Sequence, residues 1–280
     1  MDIKKIYLVY FSPGGNTEKV VKLIGTKLAG ELGAEAYAID FTSPEMRNAQ
    51  YSFDEDALVV FGMPTYAGRV PNKLLAFLQD GFKGNATKAV AVTTFGNRSF
   101  DGSLTELSLE LYKNGFDVFA AASFACQHHF SKVIGTARPD DDDIAEIEKF
   151  ALSVAQWLSK SEAKCIEHRN ILAESEVKPY YIPLGEDMQP AKFLKAVPKT
   201  VEELCDGCGV CVKACPVASI SSDYMTITGP CIKCQACVIK CHSGAKYFDD
   251  EAFLSHVRML ENNYTKRAAN FALIEKTGEV

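Results

Sequence analysis

Eight of the ten cysteines fall between Cys205 and Cys241, in two runs that share one spacing. "CDGCGVCVKACP" reads C-x2-C-x2-C-x3-C-P from Cys205, and "CIKCQACVIKCH" reads C-x2-C-x2-C-x3-C from Cys231. Thiolates so densely and regularly placed suit metal or cluster ligation, since disulfides belong to small exported domains and the chain shows no export signal. A zinc site needs four ligands and leaves the third cysteine of each run without a purpose. The other two thiols, Cys126 and Cys165, lie outside the pattern and read as ordinary buried or surface residues.

A second group of residues with chemical potential lies near the N-terminus. "FSPGGNTEKV" is a Gly-rich turn that runs from an apolar strand into a helix, a geometry that presents amides and hydroxyls to an anion. Ser12 and Thr17 offer hydroxyls, and Gly14, Gly15 and Asn16 offer amides. Two further loops follow strand-like runs. "GMPTYAGRVP" includes Pro64, Thr65, Tyr66 and Gly68, with Tyr66 able to stack on a flat ring and the loop open enough to admit a substrate. "TFGNRSFDGSL" includes Phe95, Gly96, Asn97 and Arg98, which can meet a ring edge. His128 and His129 come just after a fifth strand.

The elements that must position these groups alternate. Apolar strand runs at 3–11, "AEAYAID", "ALVVFGMP", "KAVAVTTFG" and 116–125 are separated by helical segments, and Val21, Ile24, Leu28 and Leu32 form a one-face stripe on the first of these. Five strands so separated predict an α/β fold with an open parallel sheet covered on both faces, its ligands at the carboxyl edge. The run Asp140 to Asp143 reads as a helix N-terminus. Four prolines between 179 and 198 predict an extended connector, and Phe253, Leu254, Val257 and Leu260 predict a closing helix docked on one of the halves. The expected units are 1–165, a linker at 166–200, the cysteine module at 201–248 and a helical extension at 249–280.

The net charge of −6 and scattered Lys and Arg argue against nucleic acid and anionic membranes as partners. The N-terminal apolar run is too short to span a bilayer, so the expected location is cytoplasmic.

The cysteine region, 201–248, resembles the two-cluster bacterial ferredoxins, in which the fourth cysteine of each run serves the other cluster. That resemblance implies two 4Fe-4S clusters, one on Cys205, Cys208, Cys211 and Cys241, the other on Cys231, Cys234, Cys237 and Cys215. His242 replaces the proline that ends the first run. Residues 1–160 resemble flavodoxin on "SPGGNT", "PTYAGRVP" and "FGNRSFDGSL", and with "FACQHHFS" the whole is similar to the flavodoxin-ferredoxin fusions of the EFR1 family. The resemblance implies a five-stranded parallel sheet in the order 2-1-3-4-5 with FMN over the switch point, followed by a small α+β ferredoxin-like domain. His128 matches a family histidine and becomes a candidate proton donor. Gly14 departs from the motif, where flavodoxins carry threonine, and removes one phosphate hydroxyl.

The expected function is electron transfer between FMN and the two clusters, linking one- and two-electron carriers. A flavin-dependent reductase of a quinone, nitro compound or disulfide is the enzymatic alternative, and a redox sensor is a third. No G-x-G-x-x-G fingerprint for a nicotinamide dinucleotide occurs. Expected partners are redox proteins such as a ferredoxin-dependent oxidoreductase, with a homodimer left open.

Overall fold

The computed structural model describes residues 3–160 and 170–275. The first half contains β1 (Lys5–Tyr10), α1 (Asn16–Leu32), β2 (Glu35–Asp40), β3 (Tyr51–Phe53), β4 (Ala57–Pro64), α2 (Asn72–Asp80), β5 (Phe82–Gly84), β6 (Thr87–Phe95), α3 (Ser103–Lys113), β7 (Phe116–Ala125) and α4 (Asp141–Lys160). β8 (Lys199–Thr200), α5 (Val210–Lys213), α6 (Ala236–Ile239), β9 (Lys246–Tyr247), α7 (Glu251–Asn263) and β10 (Phe271–Ile274) follow. The five parallel strands run β2-β1-β4-β6-β7, a flavodoxin-like 2-1-3-4-5 order when short β3 and β5, which pair only with each other, are set aside.

Both faces of the sheet are covered, which is why β4, β6 and β7 read as unbroken apolar runs rather than alternating ones. On one face Val20, Val21, Ile24 and Leu28 of α1 pack with Ile147, Phe150, Val154 and Leu158 of α4. On the other, Leu74 and Leu78 of α2 and Leu104, Leu107 and Leu111 of α3 close over Phe41, Phe61 and Phe82.

The sheet has a sixth strand that the sequence pattern did not give. β10 joins β7 antiparallel, with Phe271 opposite Ser123 and Ile274 opposite Ala120. The extension expected to be helical is therefore helical only through α7, and then returns to the first half. The connector is also more than a spacer. Asn170 bridges Val118, Leu172 is buried against the α2/α3 core, and the Tyr181 amide donates to the Ala67 carbonyl at 2.8 Å. Cys165 lies outside the described residues. In the second half β8 and β9 form a two-stranded antiparallel ladder, giving a small α+β unit around the cysteines. Among the described residues, no helix is long and apolar enough to cross a membrane.

Arg138 anchors the returning segment. Its guanidinium donates to both Asp143 oxygens, to Asn97 Oδ1 at 2.8 Å and to the Ala268 carbonyl at 2.7 Å. Asn97 in turn donates to the Tyr264 and Lys266 carbonyls and accepts from the Ala268 amide. Asn97 was expected at a ring edge; it is instead buried as a clamp on the segment after α7, its amide taken up by the backbone of residues 264–268. At the start of α4, Asp140 accepts from the Asp143 amide, the cap expected of the acidic run, and Arg267 pairs with both carboxylates. With side chains only 3% and 0% exposed, the Arg138–Asp143 pair is buried, and removing the Arg138 cation leaves the Asp143 carboxylate to the more exposed Arg267 and the Asn270 amide, while Asn97 Oδ1 and the Ala268 carbonyl lose their Arg138 donor. Arg138→Leu is expected to lower the unfolding free energy by about 3–5 kcal/mol, measured by urea titration.

Candidate functional site

The loops after β1, β4, β6 and β7 meet at the carboxyl edge of the sheet around a cavity of ≈ 620 Å³. Ser12, Gly14, Asn16, Thr17, Pro64, Thr65, Tyr66, Gly68, Phe95, Gly96, Arg98 and His128 all line it. Gly15 stands behind the wall as the left-handed residue, φ 91°, that starts α1. Ser12 Oγ accepts from the Glu18 amide at 2.9 Å, which leaves its own proton free for the cavity. Thr17 Oγ1 and Thr94 Oγ1 are 2.8 Å apart and share one hydrogen bond, so one hydroxyl proton of the two also remains available.

The absence of a side chain at Gly14 has a physical reason. A Cβ there would lie 1.9 Å from Cε1 of His129, whose ring fills the space above the loop. The same ring interacts with the backbone carbonyl of Cys234, and burial holds its pKa below the usual histidine value. His129 is thus wedged between the anion loop and a cysteine of the second run. The sequence signal for this contact was the departure at Gly14 itself.

His128 is neutral. Burial first, then His129, His256 and Arg98, hold its pKa down to about 3. Nδ1 accepts from the Phe130 amide at 3.1 Å, so the neutral ring carries its proton on Nε2. Gly96 lets this ring approach, since a Cβ at 96 would sit 2.4 Å from its Cδ2. Arg98 lies over the Tyr181 ring at 3.9 Å and pairs with Asp101, so it is spent on the connector as much as on the cavity.

The loop at Tyr66 to Pro71, expected to be open to a substrate, is covered. Arg69 lies 4.7 Å from the centroid of the Tyr180 ring, and Tyr181 is tied to Ala67. Tyr180, Tyr181, Phe193, Leu194 and His256 complete the cavity wall, and sequence reasoning missed all five. Their local signal is that of a Pro-rich connector and a surface helix; only tertiary packing brings them here.

The cysteines close the remaining side. Cys231, Ile232, Lys233 and Cys234 line the same cavity. Behind it the eight thiols divide between two smaller cavities, Cys215, Cys231, Cys234 and Cys237 around one and Cys205, Cys208, Cys211 and Cys241 around the other. Backbone amides already point at sulfur, from Ser219 to Cys215 at 3.2 Å and from Lys233 to Cys231 at 3.4 Å. Burial pushes the Cys234 and Cys237 thiols up to about 12, so a metal bound there must displace their protons. The two runs fold alike: Gly207 and Gly209 have φ of 71° and 69°, and their counterparts Lys233 and Gln235 adopt 55° and 63° despite their side chains.

Residues 198–221 and 228–245 each match a family model described as a 4Fe-4S binding domain. None of the curated proteins matches the chain. Among solved structures it is similar to a flavodoxin from Archaea (16% identity, TM-score 0.37, covering 55% of this chain and 99% of that one). Oxidised Flavodoxin 2 from Bacillus cereus gives 17% identity, TM-score 0.40 and coverage of 55% and 98%. The apo form of an NADH:FMN oxidoreductase gives 18%, 0.41 and coverage of 61% and 98%. The chain joins a flavodoxin-like α/β half to a pair of 4Fe-4S binding segments.

Gly14→Ala is expected to cost about 1–3 kcal/mol by overpacking against His129, and His129→Ala in the same chain to relieve that cost, measured as a double-mutant cycle of denaturation midpoints. In a histidine NMR titration from about pH 8 to about pH 6, His128 is expected to stay the neutral Nε2–H tautomer with no shift.

Proposed function

We propose that the chain is an electron carrier that holds FMN in the large cavity and 4Fe-4S clusters on the two cysteine sets. The observation that carries this reading is the shared wall: Cys231 and Cys234 border the same cavity as the anion loop and Tyr66. Bound there, the flavin supplies one- and two-electron chemistry beside single-electron clusters.

The residues present suit both groups. The loop before α1 offers amides at a helix N-terminus, a hydroxyl proton from Ser12 and another from the Thr17–Thr94 pair, all suited to a phosphate. Tyr66 and the neighbouring loops offer a flat apolar surface, and His128, which lines the cavity, carries its proton on Nε2. Each cysteine set supplies four thiolates, the complement of one cubane cluster. Cys215, Cys231, Cys234 and Cys237 then hold the cleft-side cluster, and Cys205, Cys208, Cys211 and Cys241 the outer one. Cys208 is exposed, so the outer set is where a partner redox protein meets the chain.

The carrier reading is favoured over a small-molecule reductase by the cover on the cavity. Tyr180 and Tyr181 lie over the Tyr66–Pro71 loop, and Lys233 Nζ donates to the Leu194 carbonyl at 2.5 Å, which ties the connector to the cysteine segment. The test is anaerobic rapid mixing of reconstituted protein with reduced ferredoxin, following flavin absorbance. Cys231→Ser is expected to slow flavin reduction by more than an order of magnitude, and NADH alone to leave the flavin oxidised. An unchanged rate in Cys231→Ser would sink the intramolecular route, and direct reduction by NADH would make the chain a reductase.

A further inference from the structure

Two polar side chains beside the second cysteine run are buried with no hydrogen-bond partner: the Tyr66 hydroxyl and the Gln235 amide nitrogen. A buried donor left unpaired is costly, so such a group normally faces something that accepts from it. Each lines a cavity walled by the same two cysteines, Cys231 and Cys234. Gln235 lines the inner cavity with Cys215, Cys231, Cys234 and Cys237. Tyr66 lines the outer cavity with Cys231 and Cys234.

Neither placement is an accident of a loose loop. The Tyr66 amide donates to the Arg69 carbonyl at 2.8 Å and the Arg69 amide returns the bond at 3.1 Å, so the backbone that carries the ring is held in the flavodoxin-like half. A tyrosine phenol titrates at about 10, so at neutral pH the Tyr66 hydroxyl is an O–H donor. Gln235 occupies the left-handed position that its counterpart Gly209 fills without strain, so a side chain is kept where glycine would be easier.

We propose that the Tyr66 hydroxyl and the Gln235 amide donate hydrogen bonds to the sulfurs of the cleft-side cluster and raise its reduction potential. Reduction adds negative charge to a cluster and its thiolates, and a fixed donor aimed at sulfur stabilises the reduced form more than the oxidised one. One of the two donors comes from the other half of the molecule, so the cleft-side cluster has its final potential only when the two halves are packed together. This inference rests on the assignment of that cluster to Cys215, Cys231, Cys234 and Cys237; it does not depend on the flavin.

The experiment is a redox titration of the full, cluster-loaded chain followed by electron paramagnetic resonance, comparing wild type with Tyr66→Phe and Gln235→Met. Tyr66→Phe keeps the ring and removes only the donor. At a fixed potential the reduced-to-oxidised ratio of one cluster is expected to fall about tenfold in Tyr66→Phe, a shift of about 59 mV for one electron, with the other cluster unmoved. Gln235→Met is expected to move the same cluster in the same direction. Resonance Raman of the wild type gives an independent readout, since exchange into D2O should shift Fe–S stretching bands and Tyr66→Phe should reduce that shift. Unmoved potentials in both variants, or equal shifts of both clusters, overturn the proposal. Wild-type protein that loads fewer than two clusters overturns the cluster assignment itself.

Discussion

A buried guanidinium must have its donors matched, and that requirement at Arg138 organises much of the molecule. Its partners come from three segments: Asp143, five residues on at the start of α4, and, from far along the chain, Asn97 in the loop after β6 and the Ala268 carbonyl in the segment after α7. Satisfying them fixes the segment after α7, and that segment sets how α7 lies against the loop after β7. Met259 and Leu260 of α7 close over Ile134, and Phe253 and Val257 pack with Phe130, Phe193 and Ala196. The loop carrying His128 and His129, the connector and the cysteine region are all braced by this one helix.

The parts legible in the sequence were those with strong local rules. Thiolate spacing, a glycine turn before a helix, and strands buried on both faces leave patterns that survive without tertiary knowledge. What was hidden depends on packing between distant segments. Asn97 and Arg98 sit in a loop of the right place and composition for ligand contact, yet Asn97 is consumed by the terminus and Arg98 is shared with Tyr181 and Asp101. Tyr180, Tyr181 and Phe193 read as connector residues because prolines dominate their surroundings. β10 is four residues long at a partly exposed edge, too short to carry an alternation. Gly14 was visible as a departure, and its cause, the ring of His129, was more than a hundred residues away.

The duplicated cysteine runs show how a repeat diverges under a local constraint. The first run uses glycine at both left-handed positions. The second uses Lys233 and Gln235 in the same backbone conformation, at a cost of about 1–3 kcal/mol for each residue so held. Lys233 recovers part of this by binding the Leu194 and Cys231 carbonyls. The run that faces the cavity has exchanged backbone ease for side chains that reach its surroundings, and the run that faces outward has not.

The antiparallel pairing of β10 with β7 changes what kind of object the iron-sulfur half is. Because the chain leaves the parallel sheet after α4 and comes back to it at Phe271, the cysteine region is an insertion held at both ends rather than a module hung from one. A singly tethered module explores a wide volume and meets its target as a dilute neighbour; a doubly anchored one is confined, and its effective concentration at the cavity is correspondingly high. The same closure delays folding of the sheet edge. β7 acquires its β10 neighbour only once Phe271–Ile274 have been made, and these follow the cysteine segment in the chain.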